Sequence, residues 1–450
     1  MIAFNMLKST RRKIFYTLVV LFIVLGAGII AYADGWRLDF ATWHMEKVGQ
    51  IYVRSFPNDA ALTVDGKAVQ NQSGFISRGT LIDNLLPRTY TLTLTKPGFV
   101  PWHEEIAVAP AIVAELKYAV LVPQNATMVF MGPLIAGFPT KFGVVTQAAN
   151  GTVSLDGSPL ANGILLPQND QAITASMPEI IIQSSHNGPY YAENLETGKS
   201  YNLSALFLKN NINLKTASSV VRDGYASLVV AVSPTTTAIL DETAGTMAAV
   251  VHASSGVAFV SPPAIAPSGI IWAGFTQARG TSALYQYDPA ADTVTHSSSS
   301  LPGQTTKIDL IRDSHFAVLQ SNGDLFTYDA DTQTFKSLAS DVLDFSVSED
   351  GTMLAARERA SIEIFALNGT DYWRLNLPDH PRIQDLSWYR DDRHIFVAYP
   401  DHVSFLDLAD QSLVNIVTIG TGILPHYDGD ANALYMLDNV RNLIRFDFPN

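Results

Sequence analysis

One uninterrupted apolar run stands near the start of the chain, and alternating patterns dominate the rest. Residues 14–32 read IFYTLVVLFIVLGAGIIAY, without a charge. At about 1.5 Å per residue, an α-helix of this length spans about 28 Å, close to the hydrocarbon thickness of a bilayer. The pattern therefore predicts a single transmembrane helix over residues 14–33, in contact with the lipid bilayer.

The charges beside this run predict its orientation. Four basic residues and no acidic residue precede it: Lys8, Arg11, Arg12 and Lys13. The first charge after it is Asp34. By the positive-inside rule, residues 1–13 stay cytoplasmic and the chain after about residue 34 is extracytoplasmic, as in a single-pass protein of the cell membrane. We expect Trp36 and Trp43 to form an aromatic belt at the outer interface.

Two other interpretations of the apolar run remain open. Ala31-Tyr32-Ala33 fits the A-x-A pattern of a signal-peptidase site, although the run is longer than the usual h-region of a signal peptide. A buried core helix is the second alternative, but no helical domain follows that would cover it. A lipoprotein anchor is excluded because the chain has no cysteine.

After a linker (residues 34–48), the hydrophobic period changes to two. Residues 89–95 alternate threonine with Tyr90, Leu92 and Leu94, which is typical of a half-buried strand. Asp65-Gly66 is a strong hairpin signal. We predict a small antiparallel β-sandwich over residues 49–118.

The turns of this region carry a resemblance to a known family. The segments concerned are 49–53 (GQIYV), 57–60 (PNDA), 64–67 (VDGK), 86–90 (LPRTY) and 96–99 (KPGF). Their order resembles the PEGA domain, with Arg88 where that family prefers glycine. The resemblance implies a surface or envelope-associated binding module without catalysis.

From residue 127 to 450, after a linker (residues 119–126), one pattern recurs: a strand, a turn rich in Asp, Asn, Gly and Thr, and another strand. It occurs at 153–160, 192–203, 238–246, 285–295, 326–338, 364–375, 404–416 and the C-terminus, with starts 38–47 residues apart up to the seventh. This spacing is typical of propeller blades, with the turn between the two outer strands.

A second recurring element supports a propeller. Segments 345–352 and 386–392 resemble the S-x-D-G turn between inner strands of WD-repeat-like and TolB-like blades. We predict seven or eight blades, with eight favoured by the number of outer turns. Residues 127–131 would then complete the last blade and remove an exposed sheet edge. The predicted fold class is all-β: one transmembrane helix, a PEGA-like β-sandwich and a β-propeller.

Composition narrows the functions open to this fold. The chain is 47% hydrophobic and 16% charged, with a net charge of −13. No basic cluster suited to nucleic acid is found, so we expect no nucleic-acid partner. Without cysteine there are no disulfides, thiolate nucleophiles or cysteine-ligated metals.

Candidate catalytic and metal-binding residues are sparse. The histidines closest to a pattern are His394 and His402, which flank one strand, and His380 and His426 in turns; a structural role is expected for each. Asp329-Ala330-Asp331 and Asp428-Gly429-Asp430 have the D-x-D spacing that begins some calcium loops, but no EF-hand glutamate follows. We expect no metal and no cofactor.

Aromatic and arginine residues give the remaining candidate site, a ligand-binding face on the propeller. It comprises Trp272, Trp373, Trp388, Tyr389, Arg390 and Arg393. Rings on such a face can stack on sugars or peptides, whereas the alternative role of the four rings is packing between blades. Asp391 and Asp392, between the two arginines, are interpreted as a solvated hairpin tip, with an anion-binding rim as the alternative.

These observations predict a membrane-anchored, extracytoplasmic binding or scaffolding protein of the cell envelope, not an enzyme. Its expected partner is cell-wall polymer or another envelope protein, bound by the sandwich, the propeller or both. The alternative is a propeller hydrolase or lyase acting on envelope glycans or peptides, because a propeller can gather a site from several blades.

Overall fold

The computed structural model describes residues 8–40, 43–71, 79–166, 179–212, 219–222, 227–241, 246–266, 269–288, 290–369, 372–377, 382–408 and 415–449. These residues are mostly in β-strands. The chain divides into two compact units, the first reaching Gln124 and the second extending from Asn125 to Phe448.

The first unit begins with a long apolar helix, α1 (Lys8–Ala33). Its segment Thr10–Ala33 is long and apolar enough to cross a membrane, with a mean hydropathy of 2.7. The predicted transmembrane residues 14–33 lie within it. A short hairpin follows, made of β1 (Trp36–Asp39) and β2 (His44–Lys47).

Two sheets on one shared core make up the rest of the first unit. Their strands are β3 (Gly49–Phe56), β4 (Ala61–Val64), β5 (Lys67–Val69), β6 (Thr80–Leu85), β7 (Thr89–Thr95), β8 (Trp102–Ala107) and β9 (Val113–Val120). One sheet has the order β6-β3-β9 and the other β5-β4-β7-β8. Side chains from both, such as Ile51, Leu92 and Trp102, form a single hydrophobic cluster.

Local sequence explains the turns of these two sheets. Asp65 and Gly66 have φ values of 49° and 73°, as the two central residues of a type I′ turn require. Asp65 accepts hydrogen bonds from the Thr91 amide at 3.0 Å and from Arg88 at 2.8 Å. In β7, Tyr90, Leu92 and Leu94 are buried as the alternation predicts.

The first half of the second unit contains four sheets, numbered here in chain order. The first sheet is β11 (Leu134–Thr140), β12 (Gly143–Ala148), β13 (Thr152–Leu155) and β14 (Ser158–Asn162). The second is β15 (Ile164–Leu165), β16 (Glu179–Gln183), β17 (Tyr190–Asn194) and β18 (Ser200–Asn202), followed by a short helix, α2 (Leu203–Lys209). The third is β19 (Ser219–Arg222), β20 (Ser227–Ser233), β21 (Thr236–Asp241) and β22 (Thr246–His252). The fourth is β23 (Val257–Phe259), β24 (Ala264–Ala266), β25 (Gly269–Thr276), β26 (Thr281–Asp288), β27 (Thr293–His296) and β28 (Leu301–Pro302).

The second half has four more sheets. The fifth is β29 (Thr305–Arg312), β30 (His315–Gln320), β31 (Leu325–Asp329) and β32 (Thr334–Ala339). The sixth is β33 (Asp344–Val347), β34 (Met353–Arg357), β35 (Ser361–Ala366) and β36 (Tyr372–Asn376). The seventh is β37 (Asp385–Trp388), β38 (His394–Ala398), β39 (His402–Asp407) and β40 (Asn415–Thr421). The eighth is β41 (Ile423–Asp428), β42 (Ala433–Leu437), β43 (Leu443–Asp447) and β10 (Thr127–Phe130).

The eighth sheet is built from both ends of the second unit. Its order is β10-β43-β42-β41, so its fourth strand comes from the beginning of the unit. Thr127 pairs with Arg445, and Met128 pairs with Ile444, in antiparallel register. This pairing covers the edge that β43 would otherwise expose.

Hydrophobic clusters join neighbouring sheets all the way round. For example, Leu134 of the first sheet packs with Tyr435 and Leu443 of the eighth. The first strands of consecutive sheets also contact one another, as in β29 with β33 and β33 with β37. A succession of antiparallel sheets that closes on itself in this way has the arrangement of a β-propeller.

The pairing of β10 with β43 can be tested with a disulfide. Opposed residues in an antiparallel pair have Cα atoms about 4.5–5.5 Å apart, which suits a disulfide. Because the chain has no other cysteine, the double variant Met128→Cys/Ile444→Cys should oxidise to a single internal bridge. We expect the thermal midpoint of the oxidised form to exceed that of the reduced form by several degrees. Free thiols that persist after oxidation would contradict the pairing.

Candidate functional site

The rings of the predicted binding face lie mainly in the core. Trp272 is 1% exposed and contacts the Phe259 ring edge-on, with centroids 4.9 Å apart. Trp388 and Tyr389 are 8% and 2% exposed. Buried rings cannot stack on a surface ligand, so the alternative role, packing between sheets, is the one these three residues have.

Two of these rings connect particular sheets. The Trp388 indole Nε1–H of the seventh sheet donates to the Ser346 carbonyl of the sixth at 3.1 Å. Tyr389 lies in an aromatic cluster with Phe405, Tyr427 and Phe448, which joins the seventh and eighth sheets. Trp373 is half-buried and packs against the hydrophobic cluster between the sixth and seventh sheets.

Arg390 and Arg393 are exposed, whereas the acidic residues between them are not a solvated tip. Asp391 accepts from the backbone amides of Arg393 and His394. Burial raises the pKa of Asp392 to about 6, and the nearby carboxylate of Asp350 adds to the rise. Nothing in the sequence of this turn indicates that its two acidic side chains are partly buried.

A buried histidine with two carboxylates lies beneath this turn. His394 Nδ1 is 2.8 Å from Asp391, and its Nε2 is 3.5 Å from Asp407, its cross-strand partner. Burial alone lowers the pKa of His394, but the hydrogen bonds and charges of these carboxylates outweigh it and raise the pKa to about 9. The imidazole also stacks on Phe405 at 4.8 Å. A cation held by one buried and one half-buried acid in this way is a structural element of the seventh sheet.

The other candidate histidines are separate from this group. His402 lies 2.8 Å from Asp401 and stacks on Tyr399. Burial lowers the pKa of His426 to about 4, so this side chain is neutral at pH 7. His380 lies outside the described residues.

The D-x-D segments cap their own turns. Asp329 accepts from the Asp331 and Thr332 amides, and Asp331 accepts from the Ser314 hydroxyl at 2.6 Å. Asp428 accepts from the Ala431 amide. Within the described ranges, no group of three or more His, Asp or Glu side chains is arranged to hold a metal ion.

A cavity of about 620 Å³ lies where the chain passes from the sixth sheet to the seventh. It is lined by Leu343, Arg357, Arg359, Arg382, Ile383 and Gln384. Arg359 follows β34 by two residues, and Arg382 precedes β37 by three. Sequence reasoning missed this site, because nothing in the local pattern relates the Arg357–Arg359 segment to Arg382.

One of the lining arginines, Arg357, belongs to a network of charges. Lys307 donates to Asp344 at 2.8 Å and to the Phe345 carbonyl at 2.7 Å. Arg357 lies 3.8 Å from Asp344 and donates to the Ile383 carbonyl at 2.7 Å. Desolvation by the surrounding protein raises the pKa of Asp385. The hydrogen bond donated by the Leu386 amide and the charges of Lys307 and Arg357 oppose this rise. Lys307, Asp344 and Asp385 belong to the first strands of three consecutive sheets, so the network connects all three.

Comparisons with known proteins assign the chain to no family. No protein-family model and no curated protein matches it. Among solved structures, BamB from Moraxella catarrhalis is 14% identical with a TM-score of 0.48, covering 72% of this chain and 98% of its own. The C-terminal WD40 domain of Sif2 is 13% identical with a TM-score of 0.48, covering 73% and 99%. Oligogalacturonate lyase in complex with manganese is 9% identical with a TM-score of 0.48, covering 72% and 99%. Likenesses of this degree carry no conclusion about ligand or reaction, and the PEGA resemblance of residues 49–118 stays a prediction.

The raised pKa of His394 predicts a stability that depends on pH. Folding favours the imidazolium form of His394, which therefore stabilises the folded protein. This stabilisation is present in full below the unfolded pKa of 6.5 and is lost as the pH rises through the folded pKa of about 9. The loss should amount to about 3 kcal/mol. Thermal midpoints measured from pH 6.5 to 9 should therefore fall more steeply for the unchanged protein than for His394→Gln. His402→Gln, on the same sheet, is the control, and equal slopes in all three proteins would contradict the assignment.

Proposed function

We propose that this protein is a membrane-anchored, extracytoplasmic binding or scaffolding protein of the cell envelope. In this proposal the first unit is a PEGA-like sandwich on a transmembrane helix, and the eight sheets of the second unit are the blades of a closed eight-bladed propeller. The two units present binding surfaces to cell-wall polymer or to another envelope protein.

The observation that carries the proposal is the exposed apolar surface of α1. Large side chains along the helix are exposed; Phe15, Phe22 and Ile30, for example, are 62%, 77% and 71% exposed. In the most apolar stretch of the helix, no residue is buried by the described part of the chain. Such a surface is strongly unfavourable in water, and a bilayer would cover it. The basic residues Arg11, Arg12 and Lys13 favour a cytoplasmic N-terminus.

The hairpin after the helix supports an interfacial position. Phe40 and Trp43 are 75% and 74% exposed and contact each other edge-on at 6.3 Å. Arg37 lies over the Tyr32 ring, 3.6 Å from its centroid. Aromatic rings beside cationic groups are favoured at the level of lipid headgroups.

The arginine-lined cavity supports binding more than catalysis. Its lining offers guanidinium groups, one amide and two aliphatic side chains. Guanidinium groups bind anions well but remain protonated at any physiological pH. This lining can therefore hold a ligand but supplies neither a nucleophile nor a general base.

The anchor and its orientation can be tested by labelling single cysteines. Asn150→Cys, in an exposed turn of the second unit, should react with a membrane-impermeant maleimide in intact cells. Thr10→Cys, at the start of the apolar segment, should react only after permeabilisation. Both labels should remain with the membrane fraction after carbonate extraction. Release of the Asn150→Cys product as a shorter soluble chain would instead identify a cleaved signal sequence.

Binding can be tested with the full chain in a non-ionic detergent. We expect specific retention on purified cell-wall material or on immobilised envelope proteins, abolished by an excess of untagged protein. A variant lacking residues 49–118 then shows which unit carries the attachment. No retention, together with turnover of a glycan or peptide substrate, would contradict the proposal and support the hydrolase or lyase alternative.

A further inference from the structure

We propose that the cavity lined by Arg357, Arg359 and Arg382 is a binding site for a ligand bearing carboxylate or phosphate groups. The inference names a site and a ligand chemistry that go beyond the proposed function. It does not depend on the membrane anchor, so either proposal can fail without the other.

Two of the described acidic residues beside the cavity, Glu358 and Asp344, are engaged by other cations. Glu358, between two of the arginines in sequence, is buried and forms an ion pair with Arg374, which also contacts Ser361. Asp344 is held by Lys307 at 2.8 Å, closer than its 3.8 Å contact with Arg357. Neither of these two carboxylates forms an ion pair with Arg359 or Arg382.

The three arginines are also available to a ligand to different degrees. Arg357 is 16% exposed at its side chain and held in place by the Ile383 carbonyl. Its Nε is buried and has no hydrogen-bond partner among the described residues. Arg359 and Arg382 are exposed, and neither forms a hydrogen bond or ion pair with another residue in the described ranges. The cavity therefore offers an anion one fixed and two exposed guanidinium groups.

The geometry favours a particular class of ligand. A guanidinium fork matches the two oxygens of a carboxylate or phosphate and binds them in a bidentate manner. A volume of about 620 Å³ falls within the usual range of small-ligand sites. Leu343 and Ile383 add aliphatic surface beside the charges. The site thus suits a small ligand that carries an anionic group. It is a cationic position in a chain whose net charge is −13.

The test is calorimetric titration of the full chain, in non-ionic detergent at low salt, with citrate and with inorganic pyrophosphate. At least one probe should bind with a Kd below about 1 mM, more weakly as salt rises. Arg359→Gln and Arg382→Gln should each weaken binding by about tenfold, as expected for losing a hydrogen bond to a charged group. Arg359→Lys, which keeps the charge but loses the fork, should give an intermediate Kd.

The matched control is Arg279→Gln, which removes an exposed arginine from a turn of the fourth sheet. It should change the Kd by less than twofold. Binding of citrate alone assigns carboxylate ligands and binding of pyrophosphate alone assigns phosphate ligands; both support the site. Absence of heat with both probes, or an equal loss in Arg279→Gln, overturns it. Unchanged thermal midpoints of the variants show that any loss does not come from unfolding.

Discussion

The pairing of β10 with β43 is the constraint on which the second unit depends. Every other sheet obtains its strands from consecutive chain, but the eighth needs Thr127–Phe130 from the opposite end of the unit. Without that strand, the backbone edge of β43 would be open to water and to other chains. The cluster around Leu134, Tyr435 and Leu443 then fixes the first sheet against the eighth. Closure therefore joins the first and last sheets of the second unit.

Much of this architecture can be predicted from local sequence, because the conformation of a turn is determined by residues that are close together in the chain. The recurring outer turns fall between the third and fourth strands, as 326–338 does between β31 and β32. The turn at Ser348–Gly351 joins the first two strands of its sheet, where Asp350 accepts from the Thr352 amide at 2.8 Å. Alternation in β7 likewise shows directly which side chains are buried. Each of these signals lies within about a dozen residues.

Sites were harder to predict because they depend on which sheet covers which. The pattern around Trp388 and Tyr389 identifies a strand, but exposure is decided by Phe405, Tyr427 and Phe448, which the chain reaches later. The role of His394 depends on Asp407, across the sheet. The cavity arginines come from two sheets, and no spacing rule links them. Sequence periodicity specifies the scaffold, whereas contacts between scaffold elements specify the site.

The late position of β43 has a consequence for biosynthesis. In a chain synthesised from its N-terminus, β10 emerges more than 300 residues before its partner β43. During that interval it is an unpaired segment next to a growing series of sheets, and the contact it awaits has a very large sequence separation, which slows folding. A product cut short by even its last dozen residues can never complete the ring. Loss of β43 alone would thus expose a strand more than 300 residues away to aggregation and proteolysis.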